Sequence, residues 1–313
     1  METPTIEAMA TGTASTLGRD YAVLTEGAGL LDRSSRGKLD VAGPDAAEYL
    51  QGQVTNDVLA LAPGDACYAA LLDPKAHIEA DMRIVCHSPQ ELWLDTEPDA
   101  FAAVLAHLRT YKIGRRVAIA DRTSERGLFS LIGPRAAEVA VHAGEQAQVA
   151  ATELGADVLV PAAAADEARA ALLAAGAEEV GEQAAEIVRV ERGIPRHGTD
   201  FGSENLPGEA GIVERAVSFT KGCYIGQEPV ARMYHRGRPN RTLRGLRLTA
   251  AAPSGAPVSA GPKEVGRLTS SVVSPRLGPI GLAILRREVE AGDEVRVGDD
   301  VTATVTELPF ASA

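Results

Sequence analysis

Three cysteines, Cys67, Cys86 and Cys223, are all this chain has. They form no Cys-x-x-Cys pair and are odd in number, which argues against a disulfide framework and fits a reducing cytoplasm. They also argue against a self-contained iron–sulfur or structural zinc site, which takes about four closely organised Cys or His ligands. No apolar run approaches the roughly 18 residues a membrane span needs. Met1 to Thr16 lack the basic start and apolar core of a secretory signal, which predicts a disordered lead-in to a cytoplasmic protein. No Gly-x-Gly-x-x-Gly is present and there is no regular βαβ rhythm, so a nucleotide-binding Rossmann domain is not expected.

Base is outweighed by acid. The net charge of −12 opposes general attraction to DNA or to anionic membranes. One segment departs from this: Arg232, Arg236, Arg238, Arg241, Arg244 and Arg247, with His235, have no acid among them. Two readings stay open there. The arginines form a solvated face paired with surface carboxylates, or they hold a small polyanionic ligand by charge-assisted contacts.

What is present is an ordinary globular composition, 45% hydrophobic and 24% charged over 313 residues. That length exceeds one core and predicts two or three domains. A short repeat, Gly43-Pro44-Asp45-Ala46-Ala47-Glu48 and Gly133-Pro134-Arg135-Ala136-Ala137-Glu138, follows an apolar strand-like run each time. Glycine ends the strand, proline presets the first helical turn, and alanine and glutamate continue the helix. Two such modules about 90 residues apart suggest a pseudo-symmetric α+β core. Strands are expected over Asp65–Leu72, Asp81–Cys86 and Glu91–Asp95, and helices over Pro98–Leu108 and Asp166–Ala175. Cys67 and Cys86 fall in strand-like runs, where a small buried hydrophobe is the simpler reading. After residue 240 come six short β-branched segments, Thr242–Thr249, Pro257–Ser259, Glu264–Val273, Ile280–Leu285, Asp293–Val297 and Val301–Leu308. A small closed barrel or sandwich accounts for them without exposed sheet edges.

The densest site signal is Lys221-Gly222-Cys223-Tyr224-Ile225-Gly226-Gln227-Glu228. A thiol reacts as its thiolate, and Lys221 brings a positive charge that would lower the pKa of Cys223, while the glycines allow tight turns or close approach to a ligand. Gln51–Asp57 is a polar loop after an amphipathic helix. Asp73–Asp81 is a hairpin-like turn that gathers acids, a lysine and a histidine. Glu191, just before Gly193, needs Arg189, Arg192 or a ligand as partner if buried.

Taken with Leu206-Pro207-Gly208-Glu209 and Arg189-Val190-Glu191-Arg192-Gly193, these residues resemble the YgfZ branch of the folate-binding T-protein superfamily, over roughly residues 20–308. The resemblance implies a three-domain ring: two intertwined α+β subdomains (17–50 with 120–240, and 51–119, together the folate-binding region 1–240) and a β-barrel (241–313), with folate in the central opening. It implies tetrahydrofolate, or a one-carbon derivative, as ligand. It also implies a role in the assembly or maintenance of iron–sulfur enzymes, including those that modify tRNA, which would be client partners. Cys223 with Lys221 would be the reactive pair. Gly222, Tyr224, Gly226, Gln227 and Glu228 would line the site, the pterin would meet Asp81 and Glu191, and the glutamate tail would point toward Arg232 and the arginines after it. Aminomethyltransferase members carry paired acids where this chain has Ala80 before Asp81, and lack the cysteine octapeptide. The resemblance therefore sets classical aminomethyl transfer second, and an adaptor that docks an acidic partner or RNA third. Ile225 stands where the branch often has threonine.

Overall fold

The computed structural model describes residues 6–237 and 239–311, with side chains from Thr16 onward except that of Arg236. The chain divides into two compact units, one ending at Ser34 and resuming over Ser124–Arg189, the other comprising Ser35–Thr123 and the residues from Val190.

In the first unit, helix α1 (Ile6–Glu26) is followed by β1 (Gly29–Asp32). The helix thus begins inside the segment expected to be a disordered lead-in. Its alanines, of high intrinsic helix propensity, favour this, whereas a stretch of small and polar residues suggests disorder. After the chain returns come β7 (Arg126–Ile132), α4 (Ala136–Ala140), β8 (Gln148–Thr152), β9 (Gly155–Pro161), α5 (Ala165–Ala174), β10 (Glu178–Glu179) and α6 (Glu182–Glu191). The sheet order is β10-β1-β7-β9-β8. Phe129, Leu131, Val158, Val160, Val139 and Leu172 form its core.

The second unit holds β2 (Gly37–Ala42), α2 (Ala46–Gln51), β3 (Ala66–Leu72), β4 (Ile78–Ser88), β5 (Glu91–Thr96), α3 (Pro98–Thr110) and β6 (Ala118–Asp121), in sheet order β3-β4-β5-β2-β6. The chain passes between units after Ser34 and after Thr123. Hence β2 and α2, which the boundary at 50/51 placed with the first subdomain, pair and pack in this second sheet. The two repeat segments fold alike. Gly43 and Gly133 both take positive φ (139° and 124°) and both accept from the N–H three residues on, Ala46 and Ala136, at 3.1 Å. Each leads a strand, β2 or β7, into a short helix, α2 or α4.

Beyond α7 (Val213–Ala216) and α8 (Gln227–Arg236) the six expected β segments are β11 (Arg241–Leu248), β12 (Pro257–Ala260), β13 (Lys263–Ser274), β14 (Gly278–Arg286), β15 (Glu294–Val297) and β16 (Val301–Thr306). They close as β11-β14-β13-β12-β15-β16, with β16 returning to β11. Closure removes the sheet edges, and alternate residues such as Leu246, Leu248, Val295, Val297, Ala303 and Val305 fill the interior. Among the described residues, no helix is long and apolar enough to cross a membrane.

Candidate functional site

The β3–β4 hairpin positions the site, and the two-residue period of its strands explains how. Leu39, Val41, Ala69, Leu71, Ala80, Met82, Ile84, Leu92 and Leu94 share the face that packs on α2 and α3. The intervening residues must then share the opposite face. Register pairs Tyr68 with Arg83, Ala70 with Asp81 and Arg83 with Asp95, so Tyr68, Asp81, Arg83 and Asp95 form one polar patch. This patch is also buried, and its charges are compensated. Arg83 donates to both Asp95 oxygens at 2.7 and 3.0 Å, and Arg36 donates to Asp95 at 2.7 Å and also to Glu97. Burial alone would raise the pKa of Asp95, but Arg83 and Arg36 hold it at about 2.

Asp81 is in a different state. It is 8% exposed. Its Oδ2 accepts from the Tyr68 hydroxyl at 2.7 Å, while its Oδ1 is buried with no hydrogen-bond partner among the described residues. Burial raises the pKa of this carboxyl, against the opposing pull of the Tyr68 hydrogen bond and the charges of Arg36 and His197. His197, which the sequence reasoning passed over, has both ring nitrogens buried and likewise without partner among the described residues. An unsatisfied buried polar atom costs about 1–3 kcal/mol, so such atoms gathered at one place mark a site for a polar ligand.

Two loops brace the hairpin. In the polar segment after α2, Thr55 N–H donates to Ala70 O at 3.0 Å and Asn56 Nδ2 donates to Tyr68 O at 2.8 Å. At the start of β4, Ile78 N–H donates to Asn205 O at 3.0 Å. The Asp73 carboxylate serves the turn itself, accepting from the N–H groups of Lys75 and His77 at 2.7 and 2.8 Å.

The octapeptide sits on this frame, but Lys221 does not act as expected. The residue is 8% exposed, and its ammonium donates to Gln51 O, Val54 O and Asn56 O at 2.6, 2.6 and 2.8 Å. It also lies 5.0 Å from the centre of the Tyr224 ring. With its three donors committed to carbonyls, Lys221 is a strut between the octapeptide and the end of α2 and its loop, and this corrects the reading of it as activator of Cys223. Burial pushes its pKa down to about 8, against the charges of Asp57 and Cys67. Tyr224 is buried, which pushes its hydroxyl up to about 12.

Gly226 caps α8 with φ +80°, and a Cβ there would lie 2.6 Å from Asp73 O. The octapeptide therefore seats directly on the turn of the hairpin that carries Tyr68 and Asp81. Gly222, by contrast, faces open space. Gly226→Ala is expected to destabilise the protein by about 2 kcal/mol or more, from left-handed strain and the clash together, and Gly222→Ala by far less. Equal denaturant midpoints for the two variants would contradict this placement.

Gln227 opens α8, and its N–H donates to Tyr224 O at 3.3 Å. Glu228 and Arg232 are both exposed and pair with each other at 2.6 Å, so neither is committed to the buried patch. Cys223 is exposed, whereas Cys86 is buried and Cys67 half-buried. Burial pushes the Cys67 thiol up to about 12 and raises that of Cys86 as well. Alkylation of the native chain is accordingly expected to modify Cys223 alone, and all three after denaturation. Native modification of Cys67, read by peptide mass spectrometry, would contradict it.

Glu191 is 4% exposed, and two of its partners lie far along the chain. Ser274 donates to Oε1 and Arg276 to Oε2, the latter at 3.3 Å, while Arg189 pairs with Glu186 at 2.5 Å. Glu191, within the second unit, is thus held to the turn between β13 and β14. The arginine run is dispersed too. Arg244 pairs with Glu307 at 2.6 Å and Arg247 donates to Ala311 O at 2.9 Å. Arg238 and the side chain of Arg236 lie outside the described residues.

Comparison with known proteins agrees with this architecture. Residues 7–154 match the GCVT N-terminal domain, and residues 241–311 match the glycine cleavage T-protein C-terminal barrel domain. An aminomethyltransferase of Rubrobacter xylanophilus is 32% identical over 317 residues, spanning 90% of this chain and 83% of that protein. An uncharacterized protein of Haemophilus influenzae is 29% identical over 211 residues, 66% of this chain and 68% of its own. The crystal structure of the glycine cleavage system aminomethyltransferase T from Bartonella henselae shares the fold, with a TM-score of 0.83 at 24% identity, covering 94% of this chain and 89% of that one. A two-unit α+β body ending in a closed barrel, with a buried acid on a hairpin, defines a T-protein-like class. The chain belongs to the glycine cleavage T-protein family.

Proposed function

We propose that the chain binds a reduced folate, tetrahydrofolate or a one-carbon derivative, with the pterin ring held at Asp81. The observation that carries this is Asp81 itself, a buried carboxyl with one oxygen on Tyr68 and the other without partner among the described residues. The fit is chemical: a carboxylate accepts from adjacent N–H donors, and the amino and ring N–H groups of a pterin are such donors. When bound, the folate supplies a one-carbon carrier. Tyr68 orients Asp81, and the strut of Lys221 with the seat of Gly226 fixes the octapeptide, which presents the exposed thiol of Cys223.

The finer role we propose is support of iron–sulfur enzymes, tRNA-modifying ones among them, without carrying a cluster. The octapeptide's resemblance supports it, as does a cysteine count too low for four ligands. A second reading, aminomethyl transfer, is favoured by Asp81 as a positioned acid whose pKa burial raises, and by the relative named above.

Titration calorimetry with tetrahydrofolate tests the first claim, and no measurable heat of binding to the wild type would sink it. Incubation with an aminomethylated lipoyl carrier separates the readings. Release of ammonia with methylene-tetrahydrofolate would put the second ahead, and tight folate binding without turnover supports the first.

A further inference from the structure

His197 is the residue near Asp81 that the folate reading leaves unexplained. A neutral imidazole carries one donor and one acceptor, and here both nitrogens are shut off from solvent with no partner among the described residues. A histidine buried for packing alone normally satisfies at least one of them.

Its position is held firmly. The ring meets Phe201 edge to face, with centroids 5.5 Å apart, and Gly198 N–H donates to Phe201 O at 2.8 Å. Asp200 then closes the loop. Its Oδ2 accepts from Arg196 N–H at 2.9 Å, and its Oδ1 accepts from Thr269 and Ser270 of β13 at 2.5 and 2.7 Å. A side chain on a loop fastened to the barrel at this depth is preorganised, which is what a ligand contact requires. Phe201 in turn packs in one core cluster with Ala70 and Ile78, and Ala70 is the cross-strand partner of Asp81, which brings the His197 loop to the Asp81 hairpin.

We infer that His197 is a second ligand-binding residue of the Asp81 site, offering one hydrogen-bond donor and one acceptor to the polar edge of the bound ring. This rests on the folate reading and deepens it. Asp81 reads N–H donors only, so alone it would accept many amines. Asp81 and His197 together select a planar heterocycle that presents donors and an acceptor, a cyclic amide fused to an amidine, as in the pterin ring.

The test is calorimetric titration of wild type, His197→Phe, His197→Gln and Asp81→Asn with tetrahydrofolate, and with its two halves, tetrahydropterin and p-aminobenzoylglutamate. Phenylalanine keeps a ring against Phe201 and removes both polar atoms. It is expected to weaken tetrahydrofolate and tetrahydropterin binding at least ~10-fold, to leave p-aminobenzoylglutamate unaffected, and to melt no lower than wild type. Glutamine, which keeps a donor and an acceptor, is expected to recover part of the loss. If phenylalanine lowers the melting temperature, His197→Leu gives the same comparison in a smaller volume. Wild-type affinity in His197→Phe together with a loss in Asp81→Asn overturns this inference and leaves the folate reading standing. A loss confined to p-aminobenzoylglutamate overturns the ring assignment. A wild type that binds no tetrahydrofolate overturns both.

Discussion

Lys221→Met is expected to lower the unfolding free energy by about 3 kcal/mol or more. The ammonium serves three buried carbonyls, Gln51 O, Val54 O and Asn56 O, and methionine fills the volume while serving none. Each buried acceptor left bare costs about 1–3 kcal/mol, and bonds from a charged donor lie at the strong end of the scale. The carbonyl of Gln51 belongs to the open end of α2, which has no later turn to satisfy it.

The same lysine sets a pH signature whose sign is opposite to that of an ordinary salt bridge. Its pKa is about 8 folded against 10.5 unfolded. Between those values the unfolded chain binds more protons, so this group adds stability as pH rises, by at most about 1.4 kcal/mol per pH unit, and adds no slope below pH 8. Cys67 works the other way above pH 9, and Tyr224 above pH 10, since both hold their protons more tightly when folded. Denaturant melts from pH 7 to 9 should therefore show wild type gaining on Lys221→Met. Parallel profiles would mean that the ammonium is not buried as described.

Asp81→Asn is expected to separate binding from stability. Folded, this carboxyl holds its proton above the ordinary Asp value because it is buried. The folded chain therefore binds more protons than the unfolded one between the ordinary and the raised value, and the group's contribution to stability falls as pH rises through that interval. At neutral pH the wild type carries the burden of that buried group, and asparagine removes it while its carbonyl still accepts from Tyr68. Thermal stability should be equal or higher. Tetrahydrofolate affinity should fall about 10–100-fold, the worth of a charged hydrogen bond, because the amide N–H now faces the ligand's own N–H donors. Unchanged affinity with higher stability would reduce Asp81 to a strained structural acid.

Much of this was legible in the sequence because it is local. The apolar and polar alternation of β4 and β5, the Gly-Pro step from β2 into α2 and from β7 into α4, and the six short barrel strands all follow from neighbours within a few residues. Asp81 could be singled out too, as an acid in a strand whose other face is apolar. The roles of Lys221 and Glu191 could not. The carbonyls that hold Lys221 lie 165 to 170 residues upstream, and a backbone oxygen leaves no mark in a sequence. Glu191 finds Ser274 and Arg276, 83 and 85 residues away, partners that its sequence neighbours Arg189 and Arg192 gave no hint of. His197 lies in the loop Pro195–Gly198, outside any periodic pattern, and its only cue was a lone histidine before a glycine. The boundary near residue 50 failed for a related reason: β2 is joined to β5 and β6 by hydrogen bonds between distant segments, and composition does not change where the chain crosses from one unit to the other.

The most direct measurement is native mass spectrometry of the protein as purified, wild type beside Asp81→Asn, after brief incubation with tetrahydrofolate. Wild type should carry one added mass equal to a reduced folate, and the variant should carry little of it while remaining folded. A wild type that carries none, or a variant that retains as much as wild type, would contradict the assignment of the buried Asp81 patch as the folate site.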